Sequence, residues 1–141
     1  MRTAVDTNVL SAIWGRESNA HEMSRMLAEA RPTGSVVISG AVFAEALACP
    51  NANEAFVRRF LDQTGVVVDF ELGEEAWTET GRRYARYADR RRRSSRPGAK
   101  PETKRVLADF IVGAHALLRA DRMITLDRGR YRRDFPELTL I

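Results

Sequence analysis

A chain of 141 residues is read as one domain over residues 1–141, long enough to bury a hydrophobic core. It contains no apolar run able to cross a bilayer, its start reads as a strand and not a signal peptide, and Cys49 stands alone; a cytoplasmic protein with no membrane partner, no internal disulfide and no zinc site is expected. The net charge of +4 is unevenly spread, because residues 82–105 hold eleven Lys/Arg against Asp89 and Glu102 and leave an acidic remainder, a pattern that suits an anionic polymer.

The first predicted element is a buried strand, Thr3-Ala4-Val5, ending in Asp6, with Thr7 or Asn8 capping the short helix that follows and stops at Gly15. Asn19 and Glu22 have the spacing of a capping box, and Met23, Met26, Leu27 and Ala30 then follow at helical period as core residues. Ser35-Val36-Val37-Ile38 predicts the second strand, and Ser39 or Gly40 the cap of a helix over 41–48. Glu45 is the one charge in that apolar helix and is expected in a polar cleft, since unpaired burial costs several kcal/mol. Asn51 or Asn53 opens a helix carrying Ala55, Phe56, Phe60 and Leu61 up to Gly65, and residues 66–70 form the third strand.

A long helix is predicted over 73–93 with Trp77, Thr80, Gly81, Tyr84, Tyr87 and Ala88 inward and arginines at its far end, where cations suit the helix dipole. Residues 94–101 read as a mobile loop, and Glu102 or Thr103 as the start of a helix through Leu118 that carries Asp109 near its beginning. Residues 123–126 form the fourth strand, with Asp127 directly after it; residues 128–136 read as a turn and 138–140 as a short edge strand. Strands alternating with helices make the fold class α/β with a mainly parallel sheet.

In such a sheet the strand carboxyl ends and the starts of the next helices share one edge, so Asp6, Glu45, Asp109 and Asp127 are candidates for one cleft. Clustered carboxylates repel unless a cation sits among them, and an all-oxygen donor set selects Mg²⁺ or Mn²⁺. Carboxylate-held metal serves phosphodiester hydrolysis. Taken singly each acid has a plainer role: a strand-end Asp as a helix cap, Glu45 as a solvated residue, Asp109 as a surface partner of Lys104 or Arg105. Asp62, Asp69, Asp89, Asp121 and Asp134 lie in polar or basic surroundings and are assigned to the surface. His115, six residues past Asp109, falls on another helix face and reads as packing. The arginine run Arg90, Arg91, Arg92 and Arg93 reads equally as a solvated helix end or as an RNA contact.

Val5-Asp6-Thr7-Asn8, Glu45 in the second strand-helix unit, residues 109–116 (DFIVGAHA), and residues 125–131 (TLDRGRY) followed by Phe135-Pro136 resemble the PIN domain, and more narrowly the VapC-type toxins of bacterial type II toxin–antitoxin modules. The resemblance covers nearly the whole chain. It implies a three-layer αβα sandwich and a Mg²⁺- or Mn²⁺-dependent endoribonuclease. The acidic quartet it implies is Asp6, Glu45, Asp109 and Asp127, with Asp6 and Asp109 as direct ligands and Glu45 and Asp127 acting through water or a second metal. Asn8 and Thr125 match supporting positions. A homodimer and a small VapB-like antitoxin partner are further implications, beside the RNA substrate. Two other readings fit the acids: a non-catalytic RNA- or protein-binding domain, and a Mg²⁺-dependent phosphoacceptor domain. The second wants paired acids after the first strand and a late strand-end Lys, which this sequence lacks.

Overall fold

The computed structural model describes residues 1–141. Four short strands, β1 (Thr3–Val5), β2 (Val36–Ser39), β3 (Val67–Asp69) and β4 (Arg122–Ile124), form one all-parallel sheet in the order β3-β2-β1-β4. Thr3 lies opposite both Val36 and Arg122, and Ala4 opposite Val37 and Met123. The connections are α1 (Thr7–Trp14) with α2 (Ala20–Ala30), α3 (Gly40–Leu47) with α4 (Glu54–Thr64), and α5 (Gly73–Ser94) with α6 (Leu107–Arg119). A last helix, α7 (Arg128–Asp134), follows β4. The first two crossovers move the chain one way across the sheet and the third brings it back. Right-handed crossovers therefore put α1–α4 on one face and α5–α6 on the other, the expected three-layer αβα sandwich. The direction of winding reverses between β1 and β4, which makes the gap beyond their carboxyl ends the topological switch point.

The central strands are apolar runs because both of their faces are covered; every residue of β1 and β2 is buried, whereas β3 lies at the edge and exposes Val67. Helix starts follow short polar caps. The Ser39 hydroxyl accepts from the Val42 N–H and the Asn53 side chain from the Phe56 N–H, as two of the predicted capping choices require. Gly65 ends α4 in the left-handed region at φ 69°.

Several expectations need correction. Asp6, not Thr7 or Asn8, caps α1. The capping box at Asn19 does not form: its side chain makes no cap bond and its amide oxygen is buried without a partner. Helix α6 begins at Leu107 and not at Glu102 or Thr103, since the Asp109 carboxylate turns back to accept from the Val106 N–H at 3.1 Å and so sets the first turn there. Residues 128–134 are helical instead of a turn, because Asp127 accepts from the Arg130 N–H and starts a helix. The last strand is reduced to one bridge, Met123 with Leu140.

Of the expected inner stripe of α5, Thr80 and Tyr87 are buried, whereas Trp77 is 55% exposed and Gly81 is exposed, and Ala76 and Arg83 go inside instead. Arg83 can go inside because its guanidinium is satisfied on all sides. It bonds Glu79, the Asp134 carbonyl and both oxygens of Glu137, and lies over the Phe135 ring. On α4, Val57 and Leu61 are buried and Ala55 is exposed.

Phe135 also explains a glycine in α6. A Cβ on Gly113 would stand 2.2 Å from the Phe135 ring, so only glycine lets that ring seat against α6. This contact locks the end of α7 onto α6 and fixes how Asp127 faces Asp109. Tyr131, Phe135, Phe110, Tyr84 and Tyr87 continue the packing as a chain of ring contacts 5.2–6.2 Å apart.

Candidate functional site

Asp6 stands at the switch point, one residue past β1 and only 7% exposed. One oxygen accepts from the Thr7 N–H and the other from the Thr125 hydroxyl, both at 2.8 Å. The Thr125 hydroxyl also accepts from the Asp127 N–H at 3.0 Å and the Asn8 amide at 3.4 Å. With both acceptor positions taken, its single proton is directed at Asp6. Asn8 closes the seam by accepting from the Leu126 N–H at 3.1 Å. Asn8 and Thr125 thus tie the end of β1 to the end of β4 and orient the carboxylate between them.

The other three acids approach through intermediaries. Glu45, exposed on α3, accepts from the Thr7 hydroxyl at 2.9 Å, and its charge acts on Asp6. Tyr131, buried on α7, lies close enough for the charges of Asp6 and Asp109 to act on its phenol. Arg130 spans Asp109 and Asp127, with Nη1 2.7 Å from the first and Nε 3.0 Å from the second. Direct contacts join Glu45 to Asp6 through Thr7, and Asp109 to Asp127 through Arg130, so the four carboxylates fall into two pairs at one edge of the sheet. As the side chains stand, no three acids enclose a space for an ion. The position between Asp109 and Asp127 already holds a positive charge, the Arg130 guanidinium.

The electrostatics single out Asp6. Burial pushes its pKa up, the hydrogen bonds from Thr125 and Thr7 pull it down, and the neighbouring Glu45 charge raises it; the net direction is upward. Burial and the negative charges of Asp6 and Asp109 hold the Tyr131 phenol above its ordinary range, so it stays protonated as a donor. Asp6 is a buried carboxylate with no cationic partner among the ion pairs of the chain. A hard divalent ion would supply that missing charge, and oxygen donors of this kind are what such an ion takes.

Residues 3–136 match the family model of the PIN domain. The chain belongs to the PIN domain family. Among solved structures, this PIN domain is similar to a chain in the crystal structure of VapBC2 from Rickettsia felis bound to a DNA fragment from its promoter. The TM-score is 0.66 at 17% identity, covering 100% of this chain and 98% of the other. It is also similar to a chain of VapBC-1 from nontypeable Haemophilus influenzae, with a TM-score of 0.62 at 20% identity over 100% and 97% of the two chains. At these identities the likeness speaks for the fold. No curated protein matches the sequence.

Two acids assigned to the surface are not there. Asp69, at the end of β3, meets Arg2 at 2.5 Å, Arg119 at 2.8 Å and His115 at 3.1 Å. This also accounts for His115, a buried ring packed away from the quartet, as its helix face suggested. Asp134 is buried between Arg90 and Arg105. Arg90 is therefore consumed inside the fold and Arg92 pairs with Asp89, which divides the arginine run that read as one unit. The sequence reading passed over Thr7, Arg130 and Tyr131. Arg130 and Tyr131 follow Asp127 by three and four residues, the spacing of one helical face, and were hidden by reading that stretch as a turn.

Proposed function

We propose that this PIN domain is a metal-dependent endoribonuclease and the toxin component of a toxin–antitoxin pair. The observation that carries the reading is the buried, uncompensated Asp6 carboxylate at the switch point, with Glu45 tied to it through Thr7 and Asp109 and Asp127 paired by Arg130 at the same sheet edge. Asp6 and Asp109 would hold Mg²⁺ or Mn²⁺ directly, and Glu45 and Asp127 would act through water or a second metal. Bound there, a divalent ion supplies a lowered water pKa and positive charge for a phosphodiester. Thr125 and Asn8 keep Asp6 in the orientation a ligand needs. Tyr131 donates toward the acids or toward a phosphate oxygen, and Arg130, displaced from its two carboxylates, is free to pair with substrate phosphate. The similar VapBC chains support a VapB-like antitoxin as partner, and the family resemblance supports a homodimer and an RNA substrate.

A second reading has an observation of its own. Arg130 satisfies Asp109 and Asp127 internally, as a domain that binds RNA or protein without cutting would have it. Incubation of a mixed single-stranded RNA with the full chain separates the two. Cleavage in Mn²⁺, none in EDTA, and none by Asp6→Asn is the expected outcome. Full activity in EDTA or in Asp6→Asn contradicts the nuclease reading, and salt-sensitive binding without cleavage supports the second.

A further inference from the structure

The segment between α5 and α6 borders a polar cavity of about 250 Å³ lined by Lys100, Pro101, Glu102, Thr103, Arg105 and Arg133. The Arg105 N–H donates to the Tyr87 hydroxyl at 2.6 Å and the Glu102 N–H to the Ser94 hydroxyl at 3.1 Å, which fixes the loop to α5. No large apolar side chain lines the cavity. Its charge is unbalanced: Lys100, Arg90, Arg105 and Arg133 gather around Glu102 and Asp134. Arg105 is the decisive residue. Its side chain is 8% exposed, its Nε lies 3.3 Å from Asp134 Oδ2 in a poorly aligned ion pair, and its buried Nη1 has no acceptor. A buried guanidinium with unmet donors costs free energy unless an anion completes it.

The position says which anion. Arg105 immediately precedes Val106, the cap of the helix that carries Asp109. Arg133, which pairs with Glu102, lies on α7 about one helical turn, roughly 5 Å of rise, past Arg130, the arginine that bridges Asp109 and Asp127. We infer that this cavity is a phosphate site, with Lys100, Arg105 and Arg133 as its cations and the Thr103 hydroxyl as an added donor, that holds a backbone phosphate of single-stranded RNA beside the scissile one. The inference rests on the RNA reading above. Phosphate contacts of this kind position the strand and carry no sequence choice.

The test is binding of a fluorescein-labelled single-stranded RNA to the full chain in EDTA, across a salt series, for wild type, Lys100→Gln, Arg133→Gln, Arg105→Gln and Arg59→Gln. Arg59 lies on α4 and removes the same charge elsewhere. Lys100→Gln and Arg133→Gln are expected to weaken binding several-fold and to lower the salt slope by about 0.7 for each phosphate no longer neutralised. Lys100→Arg is expected to restore both, and Arg59→Gln to change neither. These exposed variants carry the test if Arg105→Gln does not fold. Inorganic phosphate and RNA are each expected to shift the Arg105 Nε–H resonance. An equal effect of Arg59→Gln, competition by polyglutamate as strong as by RNA, or a shift with phosphate but not with RNA overturns the inference. Cleavage enters no part of the readout. A chain that binds through this cavity without cutting removes the nuclease reading and leaves the phosphate site standing.

Discussion

Two aspartates stand at the same edge of the same sheet and have opposite fates. Asp69 ends β3 and Asp6 follows β1. Burial pushes Asp69 up, but hydrogen bonds from Arg119, His115 and the Glu71 N–H, with the Arg119 charge, outweigh it and hold the carboxyl at about 2. Asp6 receives only neutral donors, and burial with the Glu45 charge moves it the other way. A strand-end carboxylate is therefore not a site by position alone. What separates the two is whether the fold supplies a permanent cation: Asp69 is saturated with arginine and closed to chemistry, and Asp6 is left short of positive charge.

The contrast can be broken by removing each carboxylate. Asp6→Asn is expected to lower RNA cleavage by more than the about 100-fold that loss of an outer-shell partner costs. Its thermal stability in EDTA should stay level or rise, because a charge that burial disfavours has been removed; a calorimetric scan beside the cleavage assay checks both. Asp69→Asn is expected to do the reverse. It strands His115 and two arginines, and because Arg2 and Arg119 are about one-third exposed, solvent reduces the cost to about 2 kcal/mol, roughly 6 °C in Tm. Its cleavage rate per folded molecule should match wild type.

Arg130→Gln sharpens the comparison by making the Asp109–Asp127 pair resemble Asp6. It is expected to cost about 1 kcal/mol without metal, to regain that in Mn²⁺, and to bind Mn²⁺ more tightly by titration calorimetry, since no guanidinium competes for the oxygens. The smallest effect is in pH. The Asp69 carboxyl lies below its ordinary 3.8, so its stabilisation is complete above that pH and is lost as pH falls through about 2. The Asp6 carboxyl is raised, so proton uptake there stabilises the fold as pH falls. Denaturation midpoints between pH 6 and 2 should fall less steeply for Asp69→Asn and more steeply for Asp6→Asn than for wild type.

The order of strands and helices was legible because apolar runs and capping residues are local signals. Asp6, Glu45, Asp109 and Asp127 were legible as acids flanked by apolar residues at positions expected to share one sheet edge. Which carboxylates the fold pairs with a cation was not. Asp69 differs from Asp6 through Arg2, His115 and Arg119, which lie 46 or more residues away along the chain, and only the sheet order brings them together. On α5 the buried Thr80 and Tyr87 match the expected stripe, and the departure is Trp77 outside and Arg83 inside, the opposite of what residue type alone suggests. Arg83 is buried by partners near the C-terminal end of the chain, which no window around it contains. Arg130 was lost with the helix that presents it, since an Arg-Gly-Arg sequence carries turn propensity and the Asp127 cap overrides it.

The most direct measurement is a crystal of the full chain soaked in Mn²⁺, with anomalous differences collected at the manganese edge. The account predicts one or more peaks within coordination distance of the Asp6 and Asp109 carboxylates, and Arg130 withdrawn from Asp109. A chain that keeps Arg130 between Asp109 and Asp127 at saturating Mn²⁺, with no peak beside Asp6, contradicts it.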